Sequence, residues 1–380
     1  MSTETNRAAQ GSGTISDRAD APAGSTTGAS PRWRQRPTGS TWGDFGPDDH
    51  LGRLNLITPD KVRQGVAEVR EGRTFCLSLP LDLPGGNLLN PRRHPPILRP
   101  TLRAGKPNML YRLVDDHPGL TDVICDDLAI LHLQYSTQWD SFAHVGALFD
   151  ANADGIEEAV FYNGYRGGRH ILAPQSAADA GVPTMSPVRS SPAAQALGIE
   201  HMAAHGVQGR GVLIDLHAHL GDANCAVDYD TLMRIIDADR VEVEPGDMVL
   251  IHTGFAQWLV EMKGQPDPQM ISAHCASLDG QDERLLQWIT DSGLAILAAD
   301  NYAVEAQPAR DPAAGLARCA AWPLHQHCLF KLGVHLGELW WLTPLARWLR
   351  EHRRHRFLLT APPLRLPGAV GSPATPIATV

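Results

Sequence analysis

Three short apolar runs constrain this chain most: GVLIDL at Gly211–Leu216, MVLIHTG from Met248 and LAILAAD from Leu294, interleaved with the amphipathic stretches TLMRIIDA and DERLLQWITDSG. A brief apolar run bounded by turn signals reads as a strand buried on both faces. Such strands alternating with helices build βαβ units, so the pattern predicts an α/β fold, a mixed sheet flanked by helices. Asp230 is expected to cap the first of these helices, and Pro245-Gly246-Asp247 turns the chain into MVLIHTG. A further helix is expected from about Pro323, followed by a final strand in FLLTAPPL and a Gly and Pro-rich C-terminal run pinned to the body. No internal repeat is present.

Upstream, Thr58 at the N-cap and Pro59 at the first helical position predict a helix with Val62, Val66 and Val69 on one face and Gly72 past its end. TFCLSLPLDL alternates Leu77, Leu79, Leu81 and Leu83 as a strand would, and the Pro and Arg-rich stretch through about residue 107 reads as a long loop. Residues 1–31 hold almost no large apolar side chain and read as a disordered tail, leaving 32–380 as one domain.

The charge balance narrows the partners. With 42 acidic against 33 basic residues and a net charge of -9, the chain is a poor match for nucleic acid or an anionic membrane, and a small-molecule substrate is expected instead. No stretch reaches the roughly 18 apolar residues of a membrane span, and the N-terminus lacks an apolar signal core. Six scattered cysteines, without the close pairing of a zinc knuckle or redox motif, read as reduced and mostly buried thiols, which points to the cytoplasm.

Candidate chemistry concentrates in Leu131–Gly146, LHLQYSTQWDSFAHVG. Leu131, Leu133 and Tyr135 alternate with His132 and Gln134, predicting a half-buried strand whose polar face continues through Ser136 and Gln138. Asp140 and His144 follow, four apart, and would share a face if a helix starts at Asp140. Two amides, a carboxylate and an imidazole at one strand end make a plausible reaction centre. Without further context, an Asp140–His144 pair reads as a structural ion pair.

The chain resembles the cyclase family of metal-dependent hydrolases, which includes bacterial kynurenine formamidase and isatin hydrolase. The resemblance rests on an ordered set running to the C-terminus: GRLNLITPDKV, STQWDSFAHV, FYNG, GRGVLIDL, EVEPGDMVLIHTG, AADNYAVE, LGELWWL and APPLRLPGAVGSP. It implies a single compact domain with a β-barrel-like core, a homodimer or homotetramer, and hydrolysis of an amide or lactone bond with manganese or zinc.

Against the family signature H-x-G-T-H-x-D-x-P-x-H, Asp140 matches the ligand Asp, Thr137 the Thr and His144 the last His, an acid or base. Gln134 and Gln138 stand where the two metal-binding histidines would be. Glu338 matches a later carboxylate, and His325 or His327 a later His. The implied catalytic set is His144, Asp140 and Glu338. Gln134, Gln138, Thr137 and Tyr162 are candidates for substrate binding, and Asp140, His325, His327 and Glu338 for the metal.

Two mechanisms stay open. Either a divalent ion held by the altered set activates water, or a metal-free His144 acts as acid or base while the glutamine amides hold the substrate. Within enzymes, a cyclase or dehydratase without net hydrolysis is the runner-up, and a non-catalytic small-molecule binder of the same fold is the alternative outside them. Asp215, His217 and His219 imitate the D-x-H-x-H strand end of TIM-barrel amidohydrolases, but 161 residues follow His219 where such a barrel needs roughly 250. They read as a coincidence. Glu305 reads as a loop cap.

Overall fold

The apolar runs become the centre of a sheet. In this computed structural model the residues described are 32–181, 190, 193–306 and 319–380. The expected tail, residues 1–31, lies outside them.

The strands that matter here are β1 (Thr74–Cys76), β2 (Ile97–Pro100), β3 (Asp127–Ile130), β4 (Gln138–Asp140), β5 (Gln208–Asp215), β6 (Met248–His252), β7 (Ile296–Ala299), β8 (His335–Glu338), β9 (Arg356–Thr360), β10 (Gly371–Pro373) and β11 (Ile377–Thr379). Nine of them form one mixed sheet in the order β1-β11-β9-β5-β6-β7-β8-β4-β10. The block β5 to β8 is parallel. Antiparallel strands extend it on both sides. Alternate residues feed two cores: Val212, Ile214, Val249 and Ile251 join one, Leu213, Leu250, Ile296 and Ala298 the other. That is why these runs carry no polar alternation.

Helices flank the sheet: α1 (Pro59–Ala67), α2 (Tyr229–Asp239), α3 (Phe255–Glu261), α4 (Glu283–Ser292) and α5 (Thr343–Glu351). The expected start of α1 is met, since the Thr58 side chain accepts from the Lys61 N–H and Pro59 follows. Its buried face differs. Val66 is exposed, whereas Lys61 and Gly65 are buried. A Cβ on Gly65 would lie 2.7 Å from the Gly209 carbonyl, so only glycine lets α1 come this close to β5. Lys61 Nζ then reaches Asp247 Oδ1 at 3.1 Å. The cap of α2 is Asp228 rather than Asp230, its side chain accepting from Thr231 N–H.

Other expectations are corrected. The strand expected across TFCLSLPLDL stops at Cys76, and Ser78 makes only an isolated bridge to Trp340. The loop expected through residue 107 contains β2, which pairs with β3 to form a two-stranded ribbon. Leu131–Tyr135 is turn rather than strand, and extended pairing resumes only at Gln138. No helix follows Asp140; the chain makes one turn, with His144 N–H donating to the Ser141 carbonyl at 3.0 Å. The helix expected from Pro323 is a short α-turn to His325 continued by π-type winding over Gln326–Leu332. The C-terminal run is pinned as expected, through β10 and β11. All six cysteines are free, but only Cys275 and Cys328 are buried. No helix among the described residues is long and apolar enough to cross a membrane.

Candidate active site

The register of β4 against β8 sorts the side chains. Gln138 pairs with Glu338, Trp139 with Gly337 and Asp140 with Leu336. Because successive residues of a strand point to opposite faces, Gln138, Asp140 and Glu338 share one face, while Trp139 turns to the other and packs edge-on against Trp340 at 4.9 Å. Leu339, directly after Glu338, has a φ of 58°, a left-handed conformation that a leucine adopts only under constraint from its surroundings.

Asp140, His325 and Glu338 offer ligand atoms within 4.8 Å of one another, and all three are buried. His325 Nε2 lies 3.2 Å from Glu338 Oε1 and 3.9 Å from Asp140 Oδ2. Behind it, Glu305 Oε1 accepts from His325 Nδ1 at 2.7 Å. The same carboxylate also accepts from the backbone N–H groups of His325 and Leu324, each at 3.0 Å, which fixes the ring's orientation. The glutamines brace the carboxylates: Gln134 Nε2 donates to Asp140 Oδ1, and Gln138 Nε2 to Glu338 Oε2 at 3.0 Å. A Cβ on Gly371, opposite Asp140 on β10, would lie 2.6 Å from Gln134 Cγ, so this glycine makes room for Gln134.

The electrostatics follow from burial. Desolvation, joined by repulsion from Glu338, pushes the Asp140 carboxyl above the usual range despite His144, His325 and Gln134. Burial also opposes a charged Glu338 and a charged His325. Their mutual hydrogen bond wins for Glu338, which is held low. For His325, the Glu305 and Glu338 carboxylates overcome burial and push the imidazole up to about 10.

Residues 77–306 match the model of the Cyclase family, described as "Putative cyclase". A solved structure described as a novel cyclase is 30% identical, with a TM-score of 0.66 over 90% of this chain and 97% of that one. The chain belongs to the cyclase family. Isatin hydrolase A from Labrenzia aggregata, bound to benzyl benzoate, is 14% identical with a TM-score of 0.49, covering 84% of this chain and 98% of its own. A predicted metal-dependent hydrolase from Bacillus stearothermophilus is 13% identical with a TM-score of 0.42, covering 81% and 98%. No protein of curated function matches.

This cyclase-family centre suits a divalent cation. Three buried carboxylates, Asp140, Glu338 and Glu305, surround one imidazole. Asp140 Oδ2 and Gln138 Oε1, both acceptors, are buried without a hydrogen-bond partner. Isolated buried acceptors are costly, and a cation satisfies them. Two carboxylate oxygens and one imidazole nitrogen match the three protein ligands usual in a catalytic zinc site. A ligand imidazole usually donates its other N–H to a carboxylate or carbonyl, as His325 does to Glu305.

The expected site residues divide. His144 stands half-buried beside the centre, its ring centroid 6.5 Å from that of His325. Of the two later histidines, His325 faces the carboxylates. His327 instead hydrogen-bonds Thr290 Oγ1 at 2.9 Å, and burial lowers it to about 4. The Thr137 hydroxyl is committed to backbone, accepting from Leu79 N–H at 2.8 Å and donating to the Leu339 carbonyl. Tyr162 is fully buried in the core against Phe142, with its hydroxyl on Asp49.

Three residues escaped the sequence reading. His335 donates through Nδ1 to the Asp140 carbonyl at 2.9 Å and stacks on Phe142. Burial holds it neutral, at about 4. Arg93 Nη1 donates to the Gln134 carbonyl at 2.6 Å, and the Tyr302 hydroxyl accepts from Asn90 at 3.1 Å. Glu305 had a visible signal, an acid in AADNYAVE, but nothing in sequence distinguishes its role from a loop cap.

A cleft of about 290 Å³ adjoins the centre, lined by Leu88, Leu89, Phe255, Ile271, Tyr302 and Glu305. A larger one, about 360 Å³, lies over Asp215, His217, His252 and Arg350. There the polar groups are already paired: Asp215 with His252 at 2.8 Å and Arg350 at 3.0 Å, His217 with Asp222 at 2.9 Å. His219 pairs with Asp239 at 2.9 Å, and Arg350 also reaches Asp239, at 3.7 Å. The imitation of an amidohydrolase site is a set of ion pairs.

Proposed function

We propose that this protein is a hydrolase that opens the C–N or C–O bond of a small cyclic amide, lactone, formamide or related substrate by attack of an activated water. The observation that carries the reading is the convergence of Asp140, His325 and Glu338 with His144 beside them. Asp140, His325 and Glu338 would hold a manganese or zinc ion, which supplies a lowered pKa for bound water and polarises the carbonyl.

The chain's own residues do the rest. Glu305 orients the His325 ring, and Gln134 and Gln138 hold the Asp140 and Glu338 carboxylates. The His144 imidazole takes the proton released as the water oxygen bonds to the carbonyl carbon. It returns that proton to the departing nitrogen or oxygen as the C–N or C–O bond breaks. Leu88, Leu89, Phe255 and Ile271 line the cleft beside Glu305, where the apolar part of a substrate would lie.

The test is metal analysis of the purified protein with turnover assays on lactones, cyclic imides and N-formyl aromatic amines, before and after chelation. Hydrolysis lost on chelation and in His144→Ala is expected. Full activity without metal would sink the metal assignment, product formation without water addition would favour a cyclase or dehydratase, and tight binding without turnover in every class would favour a binder.

A further inference from the structure

Beside the Asp140–His325–Glu338 centre, the chain keeps a group of polar side chains that the proposed hydrolysis leaves unused. Asn90, Arg93, Gln134 and Tyr302 line a niche of about 10 Å³. That is roughly the space of one water-sized group, so the niche takes a single oxygen and not a ring. Leu89 and Tyr302 line both this niche and the 290 Å³ cleft that reaches Glu305, so one molecule can occupy the two together.

The donors of the niche are fixed in place and unspent. Arg93 Nη1 donates to the Gln134 carbonyl at 2.6 Å, which anchors the guanidinium. Among the described residues its Nε and Nη2 make no hydrogen bond, and Arg93 forms no ion pair. Half-burying a guanidinium without a counter-charge is costly, and a bound carboxylate offsets that cost through charge-assisted hydrogen bonds.

Tyr302 is prepared in the same sense. The buried Asn90 donates through Nδ2 to the Tyr302 hydroxyl oxygen at 3.1 Å, and Asn90 Oδ1 accepts from the Arg92 N–H at 3.1 Å, which sets the amide's orientation. With one lone pair of the phenol oxygen taken, the O–H is left to donate. Among the described residues it meets no acceptor. No carboxylate lines the niche, so an incoming oxygen finds two donors and no competing charge.

The surroundings agree. Leu88–Pro96, LLNPRRHPP, holds Arg92, Arg93 and His94 and no acid, in a chain of net charge -9. Burial raises the Tyr302 phenol and Glu338 adds to the effect, while Arg93 opposes it, so these three groups are near enough to act on one another. The larger cleft over Asp215 differs, because its charges already pair among themselves.

We infer, resting on the hydrolase reading of the adjoining centre, that Arg93 and Tyr302 bind a carboxylate carried by the substrate away from the bond that opens, so the preferred substrate is an acid-bearing amide or lactone. One carboxylate oxygen enters the niche and the other faces the cleft. The apolar body lies along Leu88, Leu89, Phe255 and Ile271.

The test is isothermal titration of the full chain, freed of metal by chelation so that no ion ligates the probe, with benzoate and its neutral isostere benzamide. Wild type is expected to bind benzoate about 10 to 100-fold more tightly than benzamide, the worth of a charge-assisted hydrogen bond. Arg93→Met abolishes this ratio, Arg93→Lys keeps part of it, and Tyr302→Phe lowers it about 3 to 10-fold. The ratio separates recognition from scaffolding, since loosening Gln134 would weaken both probes alike. Equal binding of the two probes by wild type, no measurable binding of either, or a preference that survives Arg93→Met would overturn the proposal. Circular dichroism checks folding. Should Arg93→Met misfold, Arg93→Lys and Tyr302→Phe decide: a lowered ratio in either supports the assignment, and an unchanged ratio in both refutes it. Titration reads the niche without turnover, so failure of every substrate in the hydrolysis screen would overturn the hydrolase reading alone.

Discussion

Glu305 Oε1 lies 2.7 Å from His325 Nδ1, and both side chains are buried, so the imidazole that meets Asp140 and Glu338 is aimed by a carboxylate twenty residues upstream. That pair fixes which nitrogen points into the centre. Glu305→Ala is expected to weaken manganese or zinc binding by about 10 to 100-fold, the usual effect of losing a ligand's outer partner. Isothermal titration with each metal reads this directly, and unchanged affinity would remove Glu305 from the site.

Gly280 leaves the space that Glu305 occupies. An added Cβ there would sit 2.2 Å from Glu305 Oε2 and 3.2 Å from Leu324 Cβ. Gly280→Ala should therefore shift the carboxylate, costing about 1 to 3 kcal/mol of stability by overpacking and lowering activity with it. Urea denaturation alongside a turnover assay tests both effects.

His144→Ala is expected to lower kcat by about 10² to 10⁴-fold, the typical worth of a general acid or base. Stability should hardly move, because His144 is only half-buried, so a matched urea midpoint beside a collapsed kcat is the signature. A large stability loss with kcat per folded molecule intact would make His144 structural.

Asp247 is fully buried and accepts from Arg210 Nε at 2.8 Å, Arg210 Nη2 at 2.9 Å and Lys61 Nζ at 3.1 Å. Removing it leaves two buried cations with only Glu244 at the surface, 2.7 Å from Arg210 and 3.4 Å from Lys61, to share. Asp247→Ala should cost about 3 to 5 kcal/mol, far more than an exposed ion pair is worth. Chemical denaturation of the variant measures it.

Acid stability should depend on Asp215. Burial opposes its charge, but the hydrogen bond to His252 and the charges of His252 and Arg350 hold it at about 2, below the ordinary 3.8. A depressed carboxylate stabilises the fold above its unfolded value, and the benefit is lost as pH falls toward 2. The shift corresponds to about 2 kcal/mol. Asp215→Asn should flatten the fall in stability between pH 4 and 2, relative to wild type, in denaturation curves taken at each pH. His252 has the opposite sign. Burial opposes its charge, Asp215 and Asp300 raise it, and its contribution fades as pH climbs through the raised value.

The parallel strands, the starts of α1 and α4 and the closeness of Asp140 to His144 could be read in advance because each rests on local chemistry, whereas Glu338 entered only through the family resemblance. Apolar runs can only be buried, Thr58 and Asp282 satisfy the first helical N–H groups, and the motif residues sit close in sequence. The sequence by itself thus determined an α/β sheet and a polar centre at Leu131–Gly146. What it could not determine was set by contacts between distant segments. Only the pairing of β4 with β8 puts Gln138 beside Glu338, and only Glu305 makes His325 rather than His327 the facing histidine. The glutamines show the same division. Their identity is local, but their task of bracing two carboxylates exists only because the sheet brings residues 134, 138, 140 and 338 to one buried face, where every polar atom must find a partner.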